Sequence, residues 1–308
     1  LASIATELAG SKSFEQTITV AQEIKDSRNK SKVLASIATE LVQKYFDKSI
    51  MSAQNIQDGY KRTKALAVGL AKNKFFDQAI KYAQKIKDSR DKSSVLASIA
   101  TELARSKSFE QAITVAQEIQ DSYFKSSVLA SIATELAKSK SFEQAIKYAQ
   151  NIQNSKTKSE ALGSIAKELA KNKFFKEAQK YFDQAIVSAQ NIQEGKTTKS
   201  EVLGSIATEL AKNKFFKEAQ KCFDQAIVSA QSIQDDCKKS KALARIAAEL
   251  AKNKFFKRAI ASAQNIQEIE DKSAALASIS TELAKNKFFD QAIAFAQNIQ
   301  VSFFISSG

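Results

Sequence analysis

The sequence has no proline, no tryptophan and no histidine, and only seven glycines and two cysteines in 308 residues. Each shortage excludes something. Without proline, nothing breaks a helix from within, so helices are expected throughout. Without histidine, the commonest general base and metal ligand is missing. Cys222 and Cys237 show no CxxC spacing, so neither a disulfide framework nor a zinc site is expected. Cys222 stands where the parallel unit has Tyr181, on a helix, and Cys237 is expected in a turn. Two unpaired thiols fit a reducing compartment, which makes the cytoplasm the expected location. No apolar run approaches the length of a membrane-spanning helix. The chain opens on Leu1 inside a repeated unit, as expected of a segment of a longer array.

Catalytic signatures are also missing. Without His, a Ser or Cys nucleophile would need a Lys or carboxylate base, and no such pair is evident. Neither GxxxxGK[ST] nor GxGxxG occurs. A non-catalytic chain without cofactor or metal is the expectation.

What is present is repetition. "LAKNKFF" occurs at 70–76, 169–175, 210–216, 250–256 and 283–289. The Leu that precedes each loop falls at 8, 41, 70, 103, 136, 169, 210, 250 and 283. This spacing, mostly 33 residues, marks a solenoid. The 44% of hydrophobic residues suffice for a large core.

Each unit reads as two helices. In "SSVLASIATELA", Leu96, Ile99, Ala100 and Leu103 share one face of helix A. After a short loop, "FEQAITVAQEIQ" forms helix B, with Ala112, Ala116 and Ile119 facing inward. Ser108 to Gln111, Ser13 to Gln16 and Ser141 to Gln144 have the form of capping boxes at the start of helix B. Asp77, Glu110 and Asp290 place a carboxylate in its first turn. An alanine recurs three places before the marker Leu, at 67, 100, 133, 166, 207 and 247, and lets helix A approach helix B closely. The paired Phe of the heptapeptide is expected to pack and its Lys-Asn-Lys to form a solvated turn.

This order of sizes (Leu96, Ile99, Ala100, Leu103, then Ala112, Ala116, Ile119) resembles the tetratricopeptide repeat, or TPR. The resemblance runs over nearly the whole chain, although the unit is one residue shorter and has no proline in its closing turn. It implies an all-α, right-handed α-solenoid of about nine helix-turn-helix repeats, a single array over 1–308. It also implies a protein-binding scaffold whose partner is a protein or an acidic peptide. Two alternatives stay open: an RNA-binding array like the pentatricopeptide repeats, and the sensor segment of a larger signalling protein.

The resemblance places helix A along the binding groove, lined by Thr6, Thr39, Thr101, Thr134, Thr208 and Thr281. A basic row follows at its edge: Lys72, Arg105, Lys138, Lys171, Lys212, Lys252 and Lys285. These bases also suit the carbonyl end of a helix. Lys64, Lys167 and Arg245 break the repeat by placing charge where other units have Ala, Thr or Ser. A glutamate ladder (Glu7, Glu40, Glu102, Glu135, Glu168, Glu209, Glu249 and Glu282) is expected to be a solvated or lysine-paired row rather than paired catalytic acids. The net charge of +14 admits a polyanionic partner, but Lys outnumbers Arg about sevenfold, as coding bias would also produce.

Two units, at 174–193 and 215–234, carry seven extra residues, which keeps helical phase. Their second helices are expected to project beyond their neighbours. The unit after Leu41 is four residues short and should change the local curvature. After the last helix B comes "VSFFISSG", whose Phe303 and Phe304 are expected either to cover the last open core face or to join a contact with a second molecule.

Overall fold

A computed structural model describes residues 59–305 except 73 and 194, together with Ile24. Thr6, Glu7, Thr39, Glu40, the Ser13 box, the short unit after Leu41 and the side chains of Phe303 and Phe304 lie outside the described residues. Among the described residues the protein is all-α, an α-solenoid of successive hairpins.

The backbone divides between Gln153 and Asn154 into two compact units. The first contains α1 (Gly59–Lys72), α2 (Phe76–Gln84), α3 (Ser89–Arg105), α4 (Phe109–Gln117), α5 (Ser122–Lys138) and α6 (Phe142–Gln150). The second contains α7 (Ser155–Lys171), α8 (Phe175–Gln190), α9 (Lys196–Lys212), α10 (Phe216–Gln231), α11 (Asp236–Lys252), α12 (Phe256–Gln264), α13 (Ile269–Lys285) and α14 (Phe289–Ile305). Odd-numbered helices are the A helices and even-numbered ones the B helices. Within each unit every A helix packs on its own B helix and on the next A helix.

The faces follow the period. Leu96, Ile99, Ala100 and Leu103 of α3 are fully buried, as are Ala112 of α4 and the recurring Ala67, Ala133, Ala166, Ala207 and Ala247. A methyl group at the A–B crossing lets two backbones approach, while Leu and Ile fill the space beside it.

One device closes every described hairpin. At the end of α7, the Lys173 N–H donates to Ala170 O and the Phe174 N–H to Leu169 O, both at 3.0 Å. This is a Schellman motif, with Lys173 in the left-handed conformation at φ 67°. Lys74, Lys107, Lys140, Lys214, Lys254 and Lys287 repeat it, at φ from 62° to 68°. The Asn172 side chain adds a bond to Glu168 O at 2.8 Å, so an orphan carbonyl of the helix end is satisfied. Asn213, Asn253 and Asn286 do the same. The heptapeptide is therefore a complete joint: a buried Leu, the helix end, the Asn cap, the left-handed Lys and the first turn of helix B.

Helix capping differs from the sequence expectation. Ser108 and Ser141 begin α4 and α6 but make no side-chain cap bond. Their ψ near 60° belongs to the Schellman exit, unlike the extended ψ of the A-helix caps. The caps stand on the A helices instead. Asp88 accepts from Asp91 N, Asp121 from Tyr123 N and Phe124 N, Asn154 from Thr157 N and Asp235 from Lys238 N. The Lys238 amide and the Lys238 charge hold the Asp235 carboxyl below its usual range. At α9 the same position is Gly195, whose φ of 118° suits no other residue.

The long B helices α8 and α10 have 16 residues, against nine in α6 and α12. They nearly equal their 17-residue A partners and run along them. The added turns are packed: Phe182, Phe223 and Cys222 are buried, and Ser159 Oγ donates to Ala185 O at 2.7 Å. At the C-terminus "VSFFI" continues α14 to Ile305 rather than following it, because no breaker intervenes. Cys237 also lies inside a helix, exposed in the first turn of α11, since Asp235 caps that helix one residue before it starts.

Candidate ligand-binding face

The basic row stands at the last turn of the A helices, and each base from Arg105 onward pairs with a glutamate three residues earlier. Arg105–Glu102 measures 2.8 Å, Lys138–Glu135 and Lys171–Glu168 2.7 Å, Lys212–Glu209 3.3 Å, and Lys252–Glu249 and Lys285–Glu282 2.8 Å. The row is a line of ion pairs, each contributing about 0.2–0.5 kcal/mol to its helix. Asn side chains, rather than the lysines, reach the helix-end carbonyls. Lys72 ends α1, where Gly69 replaces the glutamate.

The departures from the repeat bridge neighbouring A helices. The Lys167 ammonium of α7 lies 3.1 Å from Glu209 Oε2 of α9, and Arg245 of α11 pairs with Glu201 of α9. Both pairs are partly exposed, which limits each to about 0–1 kcal/mol. Lys64 is half-buried on α1.

Two clefts open between these helices. One, of about 420 Å³, lies between α7 and α9, with Gly163, Ser164 and Lys167 facing Glu201, Ser205 and Glu209. The other, of about 680 Å³, lies between α9 and α11, with Gly204, Thr208 and Lys212 facing Arg245, Ala248 and Lys252. Lys167, Arg245, Thr208, Lys212 and Lys252 thus come together on one face. Lys171 and Lys285 line neither cleft, and Lys64, Lys72, Arg105, Lys138, Thr101 and Thr134 belong to the first unit. Thr101 and Thr134 are half-buried and Thr281 is exposed. Thr208 is buried, its hydroxyl 3.0 Å from Gly204 O and 3.3 Å from Glu249 Oε2.

The glycines create the clefts. A Cβ at Gly163 would meet nothing within 4 Å, and one at Gly204 only Ile246 Cγ1 at 3.9 Å. Sequence reasoning passed over both, although "LGSIA" at 162–166 and 203–207 replaces the "LASIA" of other units. Glu201 was likewise missed. Its signal was indirect, since an unusual Arg245 needs a counter-charge.

Side chains away from this face are held by burial and pairing. Burial pushes the Cys222 thiol up to about 12. Burial also raises the Asp183 carboxyl, assisted by Glu218 and opposed by Lys221. Arg258 of α12 grips Asp224 of α10 with two bonds of 2.9 Å, which raises the guanidinium further. Among the described residues no cluster of His, Cys, Asp or Glu could hold a metal ion, and no helix is long and apolar enough to cross a membrane.

The hairpins are TPR-like. No protein-family model and no curated protein matches the chain. Among solved structures, Ton1535 from Thermococcus onnurineus NA1 is 18% identical over 96% of this chain and 94% of its own, with a TM-score of 0.34. A Rap protein complexed with competence and sporulation factor is 15% identical over 98% and 96%, with a TM-score of 0.36. A signal transduction ATPase with a tetratricopeptide repeat sensor from Pyrococcus horikoshii is 13% identical over 98% of this chain and 54% of its own, with a TM-score of 0.36. These likenesses are too distant to add to the hairpin geometry, which rests on this chain's own packing.

Proposed function

We propose that the chain is a non-catalytic protein-binding scaffold, a single right-handed array whose A-helix face takes an extended peptide. The observation that carries this reading is the pair of glycine-floored clefts side by side on α7, α9 and α11. Gly163 and Gly204 leave room beside the apolar Phe182, Val202, Ile206 and Ile246, and a peptide backbone can approach closely there. Their rims carry both signs of charge: Lys167, Lys212, Arg245 and Lys252 against Glu201, Glu209 and Glu249. Such rims suit a peptide with acidic side chains at intervals, and they are less suited to a uniformly anionic strand.

The test is a displayed-peptide selection against the whole chain, repeated with Gly163→Leu and Gly204→Leu. A Cβ at Gly163 meets nothing within 4 Å and one at Gly204 makes only an ordinary contact with Ile246, so the fold should persist. Peptides selected by the parent should lose at least about tenfold in affinity for the filled clefts. Undiminished binding by both variants would remove the clefts as the site.

A further inference from the structure

We propose that the helix-A-to-B edge of the second unit docks on an anionic lipid surface. This edge is separate from the clefts and does not depend on their role. It carries exposed aromatics: Phe174 is 49% exposed, Phe175 52%, Phe216 54%, Phe288 49% and Phe289 60%. Phe was expected to pack here, and Phe215 and Phe255 do, against Phe182 and Phe223 at 5.9 and 5.8 Å. The other five leave about half of each ring in water. The joint does not require a ring at the first Phe position, because Ser108 and Ser141 hold the same backbone angles there.

Positive charge is placed on the same edge twice over, each time against the backbone's preference. Lys173, Lys214, Lys254 and Lys287 occupy the left-handed position that favours glycine or asparagine. Lys176, Lys217 and Lys257 sit in the first turn of B helices, where the helix dipole opposes a cation. Among the described residues the ammonium groups of these seven are in no ion pair or hydrogen bond, although the backbone N–H groups of the four left-handed lysines close the joint. The nearby carboxylates outside ion pairs are Glu177, Asp183, Glu218 and Asp290, so seven cations face four anions.

Lysines interleaved with half-exposed phenylalanines fit a bilayer interface: the rings enter the headgroup region and the ammonium groups meet anionic lipid. A nucleic-acid strand fits less well. It needs open ring faces and a trough for its backbone. Here Phe175 meets Phe215, and Phe256 meets Phe288, edge to face at 6.4 and 5.7 Å, which covers one ring face in each pair. No tip phenylalanine lines either cleft.

Co-sedimentation of the full chain with vesicles tests this. Phosphatidylcholine vesicles should leave the protein in solution, and vesicles that also contain phosphatidylserine should bring it down. Two variants keep the joint intact. In the first, Lys173, Lys214, Lys254 and Lys287 become Asn, which tolerates the left-handed conformation. In the second, Phe174 and Phe288 become Ser, as at Ser108 and Ser141. Each should weaken vesicle binding at least about tenfold while the helical spectrum stays unchanged. Failure to sediment with phosphatidylserine, or equal sedimentation of the four-Asn variant, overturns the proposal. Lysine-dependent binding of oligouridylate without vesicle binding would instead make the edge a nucleic-acid surface.

Discussion

The Phe215 N–H donates to Leu210 O at 2.9 Å, across a Lys214 held at φ 68°. That one bond ends an A helix, reverses the chain and sets the first residue of the next B helix. The same joint recurs from Lys74 to Lys287 because stacked hairpins need the same reversal each time.

The left-handed lysine is therefore a strained residue in a required place. Lys214→Gly should stabilise the protein by about 0.5–1 kcal/mol, because glycine adopts φ > 0 without steric cost. Lys214→Val should destabilise it by at least about 1 kcal/mol, since a β-branched side chain resists that conformation. Urea denaturation followed by circular dichroism measures both. Equal midpoints would mean that the turn relaxes away from the left-handed geometry.

Capping is concentrated on the A helices. Asp121→Ala removes bonds to two amides and should cost about 1 kcal/mol. Ser141→Ala removes no cap bond and should stay within about 0.5 kcal/mol. The difference between the two denaturation midpoints checks this, and a larger loss at Ser141 would restore the capping box.

At the A–B crossing, Ala100 and Ala133 are fully buried. Ala100→Leu or Ala133→Leu should overpack the contact and cost about 1–3 kcal/mol. Lys107→Ala, exposed in a turn, should change stability by less than about 0.5 kcal/mol. Thermal melts of the three variants should separate accordingly.

The two thiols should behave oppositely. Cys237 is exposed and should react with a disulfide reagent at once, whereas Cys222 is buried and should react only on unfolding. The Cys222 thiol ionises at about 12 when folded, against an ordinary 9.0. Between those values the unfolded chain binds fewer protons than the folded one. Stability contributed by this group is therefore complete below pH 9 and is lost as pH rises towards 12. Cys222→Ala should flatten that alkaline loss.

Much of the fold was legible because helical period and small-residue recurrence are direct records of packing. Leu96, Ile99, Ala100 and Leu103 fall on the buried face that their spacing requires. Glu102 pairs with Arg105 and the ladder from Glu135 to Glu282 pairs with lysines, as spacing of three residues on a helix permits. Ser108 was misread because a capping box and a Schellman exit share polar residues, and only backbone angles separate them. The clefts were harder to see. A groove is made by what is missing from two neighbouring helices, and Gly163 and Gly204 gain meaning only when α7, α9 and α11 lie side by side.

Hydrogen exchange with and without a peptide selected by the whole chain tests the binding face most directly. The account predicts slowed exchange in α7, α9 and α11, centred on 156–167, 198–212 and 242–252, and unchanged exchange in α10 and α12. Protection confined to the B helices, or no protection at a saturating peptide concentration, would contradict it.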